Sequence, residues 1–183
     1  MEKLIPLLIV IFSLLSCQKQ QFDLTDFEVH ENSKNNSKQL NLALQSIKKL
    51  CRNGQEIYIS LPKGTYHFYE KGTFLCEYYI SNHDQDNPKR VVFNFDEWEN
   101  LVFDGNGSKF IFHGRLLPFT LKNSKNCKLK NFSIDFENPH IAQVKIVENQ
   151  TEKGIVFRTE DWVNARISSD NTFEVYDEAW TVK

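Results

Sequence analysis

The sequence predicts a mainly β chain in which short strands stack at a regular spacing, with one amphipathic helix near its start. Three observations predict it. Apolar residues alternate with polar ones over many short stretches, the pattern of half-buried strands. Asn and Gly punctuate those stretches at a period of roughly 20–30 residues, which suits the coils of a β-helix. A single stretch, Ser37 to Cys51, changes to helical spacing.

That helical stretch places Leu40, Leu44, Ile47 and Cys51 on one face. Ser37 is the expected N-cap, and Gly54 lies just past the end. Such a helix needs an apolar surface to cover, and an uncapped β-helix exposes both core and strand edges. The helix is therefore expected to cap one end of the stack.

Strands follow. Ile57, Ile59 and Leu61 alternate with Tyr58 and Ser60. Pro62-Lys63-Gly64-Thr65 reads as a turn, because Pro fixes φ and Gly permits positive φ. Tyr66 and Phe68 start a second strand. Further on, Asn100-Leu101-Val102-Phe103 is echoed by Asn126-Cys127-Lys128-Leu129, about 26 residues later. The first copy leads through Asp104-Gly105-Asn106-Gly107, read as a turn, to Phe110 and Phe112; the second leads to Phe132, Ile134 and Phe136. Phe119 and Leu121 form a short strand between them. An antiparallel β-sandwich is the alternative on pattern alone.

Asn138-Pro139 marks a boundary. Beyond it Ala142, Val144 and Ile146 alternate, Glu152-Lys153-Gly154 turns, and Ile155 with Phe157, then Phe173 with Val175, alternate again. These are expected to be antiparallel hairpins at the start of a small barrel. The sequence stops at Thr181-Val182-Lys183, directly after an apparent strand, so the chain is expected to be a fragment.

The first residues read as export machinery. Lys3 precedes the apolar run Leu4 to Leu15, which has the length of a signal-peptide h-region and is too short to span a bilayer. It ends in Leu14-Leu15-Ser16-Cys17, resembling a bacterial lipobox. Residues 1–17 are thus expected to be a lipoprotein signal, with Cys17 the lipid attachment, 18–21 a tether, and the protein lipid-anchored in the cell envelope.

The formal net charge of -2 gives no electrostatic footprint for nucleic acid. Cys51, Cys76 and Cys127 lack Cys-x-x-Cys spacing and are expected to be buried thiols. The five His are scattered without ligand spacing, so no metal site is expected. There is no Gly-x-Ser-x-Gly and no phosphate-binding loop.

Two polar clusters remain. Ser81 to Pro88 follows the aromatic strand Tyr78-Tyr79-Ile80. Sugars are held by carboxylates and amides beside aromatic rings, so His83, Asp84 and Asp86 are the candidate substrate-binding residues. A solvated loop bonding its own backbone is the alternative. The second cluster is Asp135-Phe136-Glu137 before His140, with Asp135 expected to point away from the core.

Glu77-Tyr78-Tyr79-Ile80-Ser81-Asn82-His83-Asp84-Gln85-Asp86-Asn87-Pro88-Lys89 resembles a signature stretch of the bacterial α-1,3-galactosidases that remove the blood-group B determinant. So does the run from Asn126 through Asn131-Phe132-Ser133-Ile134-Asp135-Phe136-Glu137-Asn138-Pro139-His140 to Gln143. Asp104-Gly105-Asn106-Gly107-Ser108 and Phe112-His113-Gly114-Arg115 fit between them. The resemblance implies a right-handed parallel β-helix beginning in 22–137 and the start of an inserted β-barrel in 138–183. It implies inverting hydrolysis of terminal α-1,3-linked galactose from glycans, with no organic cofactor. Members are several times longer, and no position here matches their catalytic Asp residues, so the catalytic residues stay unknown. A non-catalytic glycan-binding lipoprotein and a remnant without function are the competing readings.

Overall fold

The computed structural model describes residues 19–51, 54–79, 87–150, 152–177 and 180–182. The expected signal segment with Cys17, and the candidates His83, Asp84 and Asp86, lie outside the described residues.

The chain is mainly β, with parallel sheets first and antiparallel sheets after. β1 (Gln20–Asp23) pairs in parallel with β2 (Ile57–Ser60), and β2 with the first half of β6 (Leu101–His113). β3 (Thr65–Tyr69) pairs in parallel with the second half of β6, and β8 (Lys128–Phe136) runs along β6 on its other side. A separate sheet holds β5 (Lys89–Asp96) parallel to β7 (Leu117–Lys122), with the short β4 (Phe74–Cys76) antiparallel at one end of β5. This parallel pairing replaces the antiparallel sandwich weighed for the region. Gln20 and Gln21, expected in a tether, are strand residues: their backbone groups join the β1–β2 ladder.

The 26-residue echo is structural. Asn126 Nδ2 donates to Asn100 Oδ1 at 2.7 Å, and the two residues are 26 apart. Both take the left-handed conformation, φ 54 and 55, which Asn tolerates better than other side chains. Glu97 and Asn123 repeat the arrangement three positions earlier, at φ 57 and 51. Asn100 N–H donates to Lys125 O and Lys125 N–H to Trp98 O, so stacked corners satisfy each other's backbone.

One expected turn is a bend instead. β6 runs through Asp104-Gly105-Asn106-Gly107 without reversing. Its flanks pair in parallel with two different strands, so the chain must continue forward while kinking. Asn106 and Gly107 take positive φ, 50 and 80. Gly105 sits where an added Cβ would lie 2.6 Å from Phe132 Cβ and 2.8 Å from Asn131 O, so only glycine fits.

The core is aromatic. Inward positions of β5 and β6 supply Phe93, Phe95, Phe103, Phe110 and Phe112, all buried, with Phe68 from β3. Rings stack between layers: Phe93 on Phe119 at 4.4 Å and Phe119 on Phe132 at 5.0 Å. Each fully buried Phe contributes roughly 1.5–3 kcal/mol. α1 (Ser37–Leu50) joins this core through Leu40, Ala43, Leu44 and Ile47.

Ser37 is the first helical residue, not the N-cap. Its hydroxyl donates to Tyr69 O at 2.6 Å and accepts from Tyr69 N–H at 2.9 Å, tying the helix to the edge of β3. Asn35 Oδ1 accepts the Ser37 N–H instead, at 2.9 Å. Asn36 occupies the cap position but spends its amide on the backbone of His30.

Parallel pairing ends at Phe136. β9 (Val144–Gln150) and β10 (Gly154–Thr159) form an antiparallel hairpin, as the alternation predicts. β11 (Ala165–Ile167), β12 (Phe173–Asp177) and β13 (Trp180–Val182) form an antiparallel sheet of three strands. Cys51, Cys76 and Cys127 are unpaired thiols, but half-buried rather than buried, because each sits at an element end or a corner.

Candidate functional site

Tyr78 and Asn87, on either side of residues 80–86, adjoin a polar face of the β5–β7 sheet. Tyr78 N–H donates to Asn87 Oδ1 at 3.3 Å. Asn94 and Asp96 alternate outward along β5, between the buried Phe93 and Phe95. Their register partners on β7 are Thr120 and Lys122.

Asn94 Oδ1 accepts from Tyr78 O–H and from Thr120 O–H, each at 2.8 Å. Its amide hydrogens make no hydrogen bond among the described residues. Lys122 Nζ lies 5.1 Å from the Tyr78 ring and 3.8 Å from Asp96 Oδ2. Asp96 Oδ1 is buried without a hydrogen-bond partner. Burial pushes the Tyr78 phenol up, and the Cys76 thiol beside it adds to the rise. The Tyr78 ring, beyond the end of β4, and the β5–β7 pair thus offer an aromatic ring, amide donors, a carboxylate and an ammonium group side by side. That set suits polyhydroxylated ligands.

Asp135 points outward as expected. Lys109 Nζ lies 3.1 Å from its Oδ2, and both side chains are about half exposed. Glu137 is used through its backbone, donating to Phe112 O, and the His140 ring packs 4.8 Å from Phe136. The sequence does not bring Asp135 to the β5–β7 face; the two carboxylate groups sit on different sheets.

Two groupings escaped the sequence reading. His67 Nδ1 and His113 Nε2 share a hydrogen bond at 2.9 Å, and His113 stacks on Tyr69 at 3.9 Å. The residues are 46 apart, and only the β3–β6 register brings them together. The second is Asp104, which the sequence placed in a turn. Its side chain is buried and accepts from Tyr58 O–H at 2.6 Å, Lys130 Nζ at 2.8 Å, Asn131 Nδ2 at 2.9 Å and Asn106 N–H at 3.0 Å. Burial alone would raise its pKa. The Lys130 and Tyr58 bonds, with those of Asn106 and Asn131, outweigh burial and hold the carboxyl well below the usual range. Asp104 is therefore a fixed anion that ties β2, β6 and β8, not a proton donor. No local sequence signal marks it: Ser60, Asp104 and Lys130 meet only through the register of β2, β6 and β8.

Among the described residues no group of three or more His, Cys, Asp or Glu is placed to hold a metal ion.

The chain is 51% identical over 177 residues to alpha-1,3-galactosidase B of Phocaeicola vulgatus, a match covering 96% of this chain and 30% of that protein. It is 49% identical over 167 residues to alpha-1,3-galactosidase B of Bacteroides fragilis, covering 91% of this chain and 28% of that protein. Alpha-1,3-galactosidase A of Shewanella woodyi is 31% identical over 152 residues, covering 82% of this chain and 24% of that one. No family model matches the chain. The chain spans less than a third of the length of these curated relatives.

Proposed function

We propose, from the premise that this chain is kin to the α-1,3-galactosidases, that it forms part of an exo-acting glycoside hydrolase releasing terminal α-1,3-linked galactose from glycans. The observation that carries the reading is identity near one half, sustained over nearly the whole chain. The layered register supports the fold that goes with it: the start of a right-handed parallel β-helix capped by α1, followed by the start of a β-barrel. Cys17 carries a lipid that holds the protein in the cell envelope.

The reaction proceeds with inversion. One carboxylic acid protonates the leaving oxygen, and a carboxylate roughly 6.5–9.5 Å away activates water on the opposite face. Asp104, locked as an anion by four donors, is unsuited to the acid role. The catalytic pair belongs to parts of the relatives that this chain does not span. The chain contributes sugar contacts through His83, Asp84 and Asp86, together with Tyr78, Asn94 and Asp96.

A second reading, a glycan-binding lipoprotein without catalysis, is favoured by that same face, which among the described residues has hydrogen-bonding groups and a single carboxylate, Asp96. One assay separates the two. A terminal α-1,3-galactosyl disaccharide is incubated with this chain and with a version extended to the length of the relatives. Galactose release by the extended protein alone is expected. Retention of the disaccharide by both, without release by either, would favour the binding reading. Asp84→Ala and Asp86→Ala should abolish retention; unchanged retention would remove the loop from the site.

A further inference from the structure

The chain enters the fold with little slack. β1 opens at Gln20, whose N–H donates to Glu56 O at 2.9 Å and whose side-chain amide donates to Leu50 O at 3.2 Å. Only Gln18 and Lys19 separate Cys17 from that strand, a reach of at most about 11 Å. Lys19 is itself held, 3.6 Å from the Glu56 carboxylate and 3.7 Å from the centre of the Tyr58 ring. A group attached at Cys17 therefore lies close to the C-terminal end of α1.

The outer face of α1 is the surface beside that point. Lys38, Leu42, Gln45 and Lys49 recur at steps of four, three and four, opposite the buried stripe of Leu40, Ala43, Leu44 and Ile47, and all four are exposed. Leu42 is 54% exposed, and Leu50 at the helix end is 57% exposed. α1 carries three lysines and no Asp or Glu, in a chain whose net charge is -2. The helix itself does not call for this pattern. Lys48 and Lys49 suit its carbonyl end, but Lys38 stands in the first turn, where the helix dipole favours an anion. Lys48 turns to the Asp96 carbonyl, which leaves Lys38 and Lys49 as the cations of the outer stripe, on either side of Leu42.

We propose that this cationic, leucine-bearing face of α1 rests on a bilayer containing anionic phospholipid, so that the protein stands on its cap with the later layers, β7 and β8, directed away from the membrane. Two observations select the occupant. The reach from Cys17 brings the helix end to the headgroups, and lysines beside an exposed leucine complement an anionic headgroup layer over an acyl boundary. The proposal rests on the lipid at Cys17 given above and adds an orientation to it.

The test uses the full lipidated protein on phosphatidylcholine vesicles that carry phosphatidylglycerol, treated with a water-soluble lysine-acetylating reagent and read by mass spectrometry. Lys38 and Lys49 should lose reactivity on the vesicles relative to the same chain without its lipid, free in solution. The exposed Lys125 and Lys128 should keep theirs. On vesicles of phosphatidylcholine alone, or in high salt, Lys38 should regain most of its reactivity, because the contact is electrostatic and screened. Leu42→Glu combined with Lys49→Glu should also restore reactivity at Lys38, while the lipid keeps the protein on the vesicles. Equal reactivity of Lys38 and Lys125 on the anionic vesicles overturns the orientation and leaves the anchor standing. Protection of Lys38 that survives on neutral vesicles or in the double variant overturns it as well, since another contact then covers the helix. A chain that carries no lipid at Cys17 and does not sediment with vesicles removes anchor and orientation together.

Discussion

Residues 20–136 and 144–182 are written in the same alternating code but bury it differently. In the first region the inward residues Phe93, Phe95, Phe103 and Phe110 are buried, each layer roofed by the next. In the second, Ile146, Val147, Ile155 and Val156 are all at least half exposed, and Phe157 is 39% exposed. Alternation specifies a strand with two faces; whether a face is buried depends on what stacks against it. Parallel layers at a 26-residue offset supply their own cover. A hairpin of two strands does not.

Cutting a buried ring should sharpen the contrast most. Phe93→Ala removes a side chain that packs on Phe68, Phe103, Phe110 and Phe119, and should cost about 3–5 kcal/mol. Phe157→Ala, whose ring meets Phe173, should cost less than about 1.5 kcal/mol. Urea unfolding followed by circular dichroism measures both; equal losses would erase the distinction between the regions.

Asp104 comes next. Asp104→Ala leaves Tyr58, Lys130 and Asn131 without their acceptor and should cost about 2–3 kcal/mol. The sign of the pH effect follows from its depressed pKa. Its contribution is present above the unfolded carboxyl value, near 4, and is lost as pH falls through the lower folded value. Acid unfolding of Asp104→Asn should therefore lose part of its dependence on pH below about 4. An unaltered acid limb would mean that other carboxylates govern it.

Gly105→Ala pushes a methyl into Phe132 and the Asn131 carbonyl and should cost about 1–3 kcal/mol. Gly154→Ala, with open space around it, carries only the strain of φ 112. Thermal denaturation of the pair reports whether close layering, rather than positive φ alone, dictates glycine. The smallest effect expected is that of Asn126→Ala, about 1 kcal/mol from the lost Asn100 contact and a less suitable left-handed residue.

Most strands were legible in the sequence because period-two alternation is a local property. The 26-residue echo was legible because the same corner chemistry recurs, with Asn at 100 and 126. What stayed hidden was register. Nothing local says that His67 meets His113, or that Asp104 lies between Tyr58 and Lys130, since those meetings depend on strands far apart in the chain. The Asp104–Gly107 run was misread for a related reason. Its turn-like composition is real, but both flanks are held by parallel neighbours, so it bends a strand instead of ending one. Ser37 was misplaced by one position because its hydroxyl serves Tyr69, a partner 32 residues away. The candidate face was half legible: Tyr78 stood out as an aromatic before a polar loop. Asn94 and Asp96 did not, until Phe93 and Phe95 were seen to point inward.

Amide hydrogen exchange on the whole chain tests the central claim most directly, because it reads the protection of each region separately. Self-supporting parallel layers predict that amides of β2, β5 and β6 exchange slowest and together, while those of β9 and β10 exchange much faster. Equal protection across the two regions, or slower exchange in the β9–β10 hairpin, would contradict the account.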